Sequence, residues 1–168
     1  MNSGIIVTDM RSLTPQCKNE HEPYVYHKYA VTDENGKYEN AGPEACGGNG
    51  TVVAFYTLPP GKSSYPFHYH VNNEEVFYII SGQGVLDTPN GTRGVAAGDV
   101  IICPAGAEGA HRLTNASDTE HFVYLDVDTN RTPDVVYYPR SSKVGIRAAG
   151  GIRDNYHLDS AVAYYQGE

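Results

Sequence analysis

Tryptophan is absent from the sequence, cysteine is scarce, and no apolar run approaches the length of a membrane span. A membrane-crossing helix needs about 20 consecutive apolar residues, so we expect no membrane partner. The three cysteines, Cys17, Cys46 and Cys103, are far apart and form no Cys-x-x-Cys pair. Isolated cysteines are typical of a reducing compartment, and the N-terminus has no basic segment followed by an apolar one. We therefore expect a cytoplasmic protein.

Basic residues are also few, since 12 Lys and Arg stand against 20 Asp and Glu and give a formal net charge of −8. Binding to DNA, RNA or an anionic membrane surface requires clustered positive charge, so we expect none of these partners. A small-molecule ligand or substrate is the expected partner. Two apolar surfaces are expected to be buried by a second subunit, which predicts a homodimer. They are the Tyr-rich stretch at 24–31 and the outer face of the strand at 76–80.

Short β-rich runs separated by turn residues dominate the chain, which has 18 Gly and 10 Pro. The runs at 51–58, 75–81 and 121–127 are rich in branched and aromatic residues, and Asn90-Gly91 is typical of a hairpin turn. No segment from 51 to 127 keeps a helical period. Short strands at regular spacing predict an all-β sandwich or barrel.

At 168 residues the chain is expected to form one domain, residues 1–168. We place its barrel core at about 50–128. An N-terminal arm at 1–49 carries a strand near 24–31, and an irregular C-terminal tail at 129–168 is expected to pack over the barrel.

His68 and His70 stand two residues apart after a Pro-Gly turn, and Glu75 opens the next apolar run. Residues i and i+2 of an extended strand point to the same face, so we expect the two imidazoles side by side, with Glu75 facing them. Two imidazoles and a carboxylate are a metal-ligand set. Glu74 is the alternative carboxylate, but Glu75 shares its face with the apolar side chains of its strand, and Glu74 is expected to point to solvent.

His111 begins a strand after a Gly-rich loop, as the first two histidines do. In a jelly roll, hairpins about forty residues apart lie on opposing sheets, so we expect His111 to approach from the opposing sheet as a fourth ligand. An octahedral ion with these four ligands keeps two positions open for water, oxygen or substrate. A tetrahedral zinc ion with these four ligands would have no open coordination position, and its role would be structural.

Both stretches resemble the two sequence motifs of the cupin family. The first motif is glycine, a spacer, His-x-His, a gap, Glu and glycine, here Gly61, His68, His70, Glu75 and Gly82. The second is glycine, a spacer, Pro-x-Gly, a gap, His and Asn, here Gly98, Pro104, Gly106, His111 and Asn115. The spacer before His68 and the gap before His111 are both longer than usual.

The resemblance covers roughly residues 50–128 and implies a small jelly-roll barrel that holds one divalent transition metal ion, Mn, Fe, Ni or Zn. The implied metal ligands are His68, His70, Glu75 and His111. A metal-dependent enzyme of oxidase, dioxygenase, isomerase or decarboxylase type, acting on a small polar or anionic molecule, is the leading interpretation, with Glu75 as the candidate proton-transfer residue. Two alternatives stay open: a cupin that binds a small molecule without turnover, and a metal that is only structural.

Several other polar residues are weaker candidates. His121 alternates with apolar residues and is expected to be a hydrogen-bonded histidine inside the barrel. Asp126 and Asp128 end the last strong strand, where a general base is one interpretation and salt-bridged turn residues are the expected one. Arg112 is expected by alternation to point away from the metal site. Cys103 is expected to be buried and inert.

Overall fold

The computed structural model describes residues 7–15, 17–32, 50–148 and 152–168. These ranges contain β-strands and three single-turn 3-10 helices, at Met10–Ser12, Ala107–Gly109 and Leu158–Ser160. The strands are β1 (Cys17–His21), β2 (Tyr24–Ala30), β3 (Thr51–Leu58), β4 (Tyr69–His70), β5 (Glu75–Ser81), β6 (Gln83–Thr88), β7 (Gly91–Ala96), β8 (Val100–Cys103), β9 (Arg112–Asn115), β10 (Phe122–Thr129), β11 (Asp134–Tyr138), β12 (Lys143–Ala148) and β13 (Ile152–His157). Among the described residues, no helix is long and apolar enough to cross a membrane.

The strands pair antiparallel and form two layers. The first layer is a six-stranded sheet in the order β1-β2-β3-β10-β5-β8. The second layer contains a four-stranded sheet, β13-β12-β11-β4, and a three-stranded sheet, β7-β6-β9, which are linked by an isolated antiparallel bridge between His68 and His111. The predicted all-β jelly-roll fold is confirmed, as a sandwich whose sheets do not close into a continuous barrel.

Alternation of apolar residues places the core between the two layers. In β3, Ala54, Tyr56 and Leu58 are buried, while the residues between them are only half-buried. In β10, Phe122 and Tyr124 are buried in the same way, and the Tyr124 ring stacks on Tyr56 with centroids 5.2 Å apart. A shift of one residue in register would turn all of these side chains outward, so the core fixes the pairing of β3 with β10.

The segment after the barrel core is more regular than the expected irregular tail, since it carries β11, β12 and β13. Strand β11 pairs with β4, with Val136 opposite His70, and therefore lies beside the strand of the histidine pair. In the N-terminal arm, β1 and β2 extend the six-stranded sheet beyond β3. The arm residues 1–6, 16 and 33–49 lie outside the described ranges. The organisation as one domain stays a prediction.

The outer face of the six-stranded sheet exposes apolar side chains along β5 and β8. Tyr78 and Ile80 of β5 and Val100 and Ile102 of β8 are between 40% and 64% exposed. A contiguous exposed apolar patch is typical of an interaction surface. This is one of the two surfaces that the sequence predicted to be buried by a second subunit. The homodimer itself stays a prediction.

Substitution Gly84→Ala should destabilise the fold, because a Cβ atom there would lie 2.7 Å from the Phe122 ring and 3.0 Å from the Thr114 carbonyl oxygen. Overpacking of this kind costs about 1–3 kcal/mol, which lowers the melting temperature by several degrees. Thermal unfolding followed by circular dichroism measures the loss. Gly94→Ala in the adjacent β7 is the matched control, since no described atom lies within 4 Å of its Cβ position. An equal loss in both variants would contradict the packing described for β6.

Candidate metal centre

His68 and His111 are joined through their backbones. The His68 amide donates to the His111 carbonyl at 3.0 Å, and the His111 amide donates to the His68 carbonyl at 2.8 Å. Residues that exchange both hydrogen bonds in an antiparallel pair point their side chains to the same face, and the two imidazole centroids lie 4.8 Å apart. The expectation that His111 approaches from the opposing sheet is therefore wrong, because the reciprocal hydrogen bonds hold it in the same layer as His68.

Glu75 is the candidate ligand that comes from the opposite layer. It is the first residue of β5 and is 7% exposed, whereas Glu74 is half-buried. Glu75 Oε2 lies 3.1 Å from His111 Nε2 and 3.8 Å from His68 Nε2. Glu75 Oε1 lies 3.5 Å from His70 Nε2. Ligand atoms of His68, His70 and Glu75 lie within 4.8 Å of one another, so these three residues form a group that can hold a metal ion.

Two of the imidazoles are fixed by backbone carbonyl groups. His68 Nδ1 lies 2.8 Å from the Pro66 carbonyl oxygen, and His111 Nδ1 lies 2.9 Å from the Gly109 carbonyl oxygen. A carbonyl oxygen only accepts hydrogen bonds, so each Nδ1 atom is the donor. In the neutral ring the lone pair is then on Nε2, which faces Glu75. This is the tautomer that binds a metal through Nε2.

Asp134 fixes the third imidazole, and sequence reasoning did not identify it. Its Oδ2 lies 2.5 Å from His70 Nδ1, and its Oδ1 accepts a hydrogen bond from the Asn72 amide at 2.9 Å. Asp134 is only 3% exposed and is the first residue of β11. A carboxylate in this position orients the imidazole and makes Nε2 a stronger ligand. The one local signal is an acidic residue between a proline, Pro133, and an apolar strand, which does not point to His70.

The loop before His111 is shaped by Gly109. A Cβ atom on Gly109 would lie 1.8 Å from the Pro104 carbonyl oxygen, so no side chain fits there. The turn that ends at Gly109 presents its carbonyl group to His111. The Gly106 amide in the same loop donates to the His70 carbonyl at 2.7 Å. The loop formed by the longer gap of the second motif therefore contacts both His111 and His70.

Burial and the charges of neighbouring groups shift the pKa values of Glu75 and His111 in opposite directions. Burial alone would raise the pKa of Glu75, but His111 and His68 lower it well below its ordinary value. Burial alone would lower the pKa of His111, but Glu75 raises it well above its ordinary value. Burial lowers the pKa of His68. The centre thus favours positive charge next to Glu75, and a divalent cation supplies that charge in place of a proton.

Two further carboxyl groups, those of Asp126 and Asp128, lie on the inward face of β10. Asp128 pairs with Glu75 in the β10–β5 ladder. Among the described residues, no Lys or Arg forms an ion pair with either carboxyl group. The Oδ1 atom of each is buried, and among the described residues its side chain finds a hydrogen-bond partner only in the neighbouring carboxyl group of the pair. The expectation of salt-bridged turn residues is therefore wrong, because β10 continues through both positions and alternation turns them inward.

Three further residues that the sequence singled out, His121, Arg112 and Cys103, do not belong to the candidate metal ligands. His121 is exposed, so the expectation of an enclosed histidine is wrong, because β10 begins only at the next residue. The Arg112 guanidinium group forms an ion pair with Asp87 at 2.6 Å, and the residue also contributes to the lining of the cleft beside the site. Cys103 is buried as predicted, and it pairs with Glu75 in the β5–β8 ladder.

A small cleft with an internal volume of about 10 Å³ adjoins His68, Glu75 and His111. Its lining includes His68, Glu75, His111, Phe77 and Asp126. A cavity needs about 10–15 Å³ to hold one water molecule, so the cleft has room for about one water-sized group.

Residues 54–128 match the sequence model of a family described as the cupin domain. This segment contains all four candidate ligands and both motifs, whereas Asp134 lies beyond it. Together with the jelly-roll fold, the match confirms the resemblance of this segment to the cupin family.

One curated relative, the oxalate-binding protein of Thermotoga maritima, is 32% identical over 77 residues, which are 46% of this chain and 61% of that protein. Two solved structures share the fold. A sugar phosphate isomerase of the cupin superfamily from Silicibacter pomeroyi has a TM-score of 0.74 at 20% identity, over 95% of this chain and 98% of that chain. A predicted oxalate decarboxylase from Thermotoga maritima has a TM-score of 0.58 at 23% identity, over 75% of this chain and 100% of that chain. At these identities the two structures show the fold alone.

Substitution Asp134→Asn should weaken the binding of a divalent ion about 10–100-fold, because the amide no longer supplies a charged acceptor for His70 Nδ1. Competition titration of Mn²⁺ or Zn²⁺ against a chelating dye measures the dissociation constant. Asp118→Asn removes an acidic side chain at an exposed position and is the control. Unchanged affinity in a folded Asp134→Asn variant would contradict the positioning of His70 by Asp134.

The Asp126–Asp128 pair predicts a stability that falls as pH rises in metal-free protein. Burial, together with Asp128, raises the pKa of Asp126 well above its ordinary value, and burial, together with Glu75, raises the pKa of Asp128 from 3.8 to about 7. The folded protein then binds more protons than the unfolded chain between these values, so stability is lost as pH rises through this window. Asp128→Asn, which is neutral at every pH, should stabilise EDTA-treated protein more at pH 8 than at pH 4. Chemical denaturation at both pH values measures this difference, and equal effects would contradict the raised pKa.

Proposed function

We propose that the chain is a metal-dependent enzyme that holds one divalent transition metal ion through His68, His70, Glu75 and His111 and acts on a small polar molecule. The observation that carries the proposal is the shared orientation of the three imidazoles. Each has its Nδ1 atom hydrogen bonded and its Nε2 atom turned toward Glu75. Three nitrogen donors and one carboxylate suit Mn, Fe, Ni or Zn.

A metal ion bound there supplies Lewis-acid polarisation of a substrate oxygen. The residues of the chain supply position and protons. Glu75 brings one negative charge to the centre from the opposite layer, and its carboxylate is the group that can take or return a proton at a substrate atom in the cleft. The Pro66 and Gly109 carbonyl groups and Asp134 keep the three rings from rotating. Phe77 covers one side of the cleft with an apolar ring and limits the access of water.

The inward carboxyl groups of Asp126 and Asp128 support a role in chemistry or ligand recognition over a purely structural metal. Burying carboxyl groups without a cation destabilises the fold, and a metal that only links two sheets does not require them. The name of the 32% identical relative, an oxalate-binding protein, favours small-molecule binding without turnover as the second candidate.

Elemental analysis of untagged protein purified without added metal should find about one divalent transition metal ion per chain. His111→Ala should retain less than about a tenth of this amount, because the variant loses one of four ligands and leaves Glu75 without its nearest imidazole. His121→Ala removes an exposed histidine and should keep the full metal content. Equal metal content in the His111→Ala variant would remove this residue from the ligand set, and a metal-free wild-type protein would contradict the proposed function.

A further inference from the structure

We propose that Tyr138, Lys143 and Arg147 bind a phosphate group of the substrate, so that the substrate is a small phosphate monoester whose other end reaches the metal centre. The inference rests on the proposed function, because it places the phosphate group beside the candidate ligands His68 and His70. The three residues lie beyond both sequence motifs and beyond the segment that matches the family model.

These three residues lie on the same face of the four-stranded sheet as the candidate metal ligands. Val136 of β11 pairs with His70 of β4, and Tyr138, two positions further along β11, points to the same side as Val136. In the β11–β12 ladder, Tyr138 pairs with Lys143. Arg147 is four positions from Lys143 in β12 and therefore shares its face. This face runs from the histidines of β4 across β11 to β12.

Tyr138 lies between the metal centre and the basic residues. Its ring stacks on the His68 imidazole with centroids 5.8 Å apart and an angle of 22° between the planes. The Lys143 ammonium group lies 5.2 Å from the centroid of the same ring. Because β11 lies between β4 and β12, a group bound by Lys143 is one to two strand spacings from the metal centre, about 5–10 Å. A phosphate monoester with a few carbon atoms spans this distance.

Arg147 is held in place by neutral groups. A Cβ atom on Gly145 would lie 2.9 Å from Arg147 Nη1 and 2.6 Å from Asn155 Oδ1, so the missing side chain makes room for the guanidinium group. Arg147 donates to the Ile146 carbonyl oxygen at 3.1 Å and to the Asp154 carbonyl oxygen at 3.4 Å. It also donates to Asn155 Oδ1 at 3.3 Å. These contacts position the guanidinium group and leave its positive charge uncompensated.

No carboxylate forms an ion pair with the two cations in the described part of the chain. The ion pairs there join other basic residues, and Lys143 and Arg147 form none. Asp134 is opposite Arg147 in the β11–β12 ladder. Its oxygen atoms, however, are bound to His70 Nδ1 and to the Asn72 amide. Two uncompensated positive charges on one face, in a chain of net charge −8, favour a dianion over a monocarboxylate.

The Tyr138 hydroxyl group adds a third hydrogen-bond donor. Burial raises the pKa of Tyr138, and Arg147 acts against this shift, which places the guanidinium group near the phenol oxygen. A guanidinium group only donates hydrogen bonds, so the phenol proton is available to an acceptor. An ammonium group, a guanidinium group and a phenol then match the three acceptor oxygens of a phosphate group.

A ligand reaches this face from solvent. Tyr138, Lys143 and Arg147 are half-buried. The His70 side chain is 20% exposed, whereas the side chains of the other candidate ligands are between 5% and 9% exposed. The metal centre is therefore most accessible on the side of β4, where the face with the two cations begins.

Protection of a sheet edge does not account for the two cations. Lysine on an edge strand blocks pairing with another chain. In the four-stranded sheet, however, the outermost strands are β13 and β4, and β12 lies between β13 and β11. The cations of β12 therefore do not protect an edge.

Two titrations test the inference, at an ionic strength of about 0.15 M so that unspecific attraction is screened. Metal-free protein is titrated with inorganic phosphate and, separately, with acetate, and binding is followed by ¹H–¹⁵N correlation NMR. Zn²⁺-loaded protein is titrated by calorimetry with glycerol 3-phosphate and with glycerol. Phosphate should bind about tenfold more tightly than acetate, and glycerol 3-phosphate should bind more tightly than glycerol by at least about the same factor.

Lys143→Gln and Arg147→Gln should each weaken the binding of inorganic phosphate about tenfold, because each variant loses a charged donor. Tyr138→Phe removes only the hydroxyl group and should weaken binding about threefold to tenfold. Gly145→Ala keeps every charge but displaces the Arg147 guanidinium group, and it should also weaken binding. Arg93→Gln removes a positive charge at an exposed position of β7 and should change the affinity by no more than about twofold.

The outcomes separate the two proposals. Unchanged phosphate affinity in Lys143→Gln and Arg147→Gln overturns the inference, and so does equal binding of phosphate and acetate by the wild-type protein. Equal binding of glycerol 3-phosphate by Zn²⁺-loaded wild-type protein and Arg147→Gln overturns the assignment of the phosphate group to the substrate. A chain that takes up no Zn²⁺ overturns the proposed function, whereas the titration of the metal-free protein decides the phosphate site by itself.

Discussion

Two reciprocal hydrogen bonds between the backbones of His68 and His111 hold the candidate metal centre together. They join the four-stranded and three-stranded sheets of the second layer, and they turn both imidazoles to the inner face at a centroid distance of 4.8 Å. Glu75 then needs only to face this pair from the six-stranded sheet. Because the pairing is formed by backbone atoms, the position of the rings depends on strand register, and the fold core fixes that register.

The same region concentrates charge that a protein interior normally excludes. Three imidazoles face the Glu75 carboxylate, and Asp134 binds the His70 ring at its Nδ1 atom. Asp126 and Asp128 of β10 place two further carboxyl groups on the inward face beside Glu75. A divalent cation would balance the group around Glu75, whereas the pair on β10 forms no ion pair with a Lys or Arg among the described residues. The centre therefore combines a set of candidate metal ligands with two neighbouring buried carboxyl groups that have no Lys or Arg ion-pair partner among the described residues.

The sequence predicted what depends on local spacing. The His-x-His pair, Glu75 and the β-rich periodicity all follow from alternation over a few residues, and the structure places the Glu75 carboxylate opposite the two imidazoles. Asp134 could not be found in this way, because the pairing of β11 with β4 joins residues more than 60 positions apart and leaves no period in the sequence. Asp126 and Asp128 did carry a signal. They continue the alternation of Phe122 and Tyr124, and the acidic side chains obscured the continuing strand.

The central claim is that four side chains from two layers share one ion, and anomalous X-ray diffraction from crystals of the metal-loaded protein tests it most directly. The account predicts a single strong anomalous peak per chain, at about 2.0–2.3 Å from the Nε2 atoms of His68, His70 and His111 and from a carboxylate oxygen of Glu75. A peak bound to other residues, or the absence of any peak between the two layers, would contradict it.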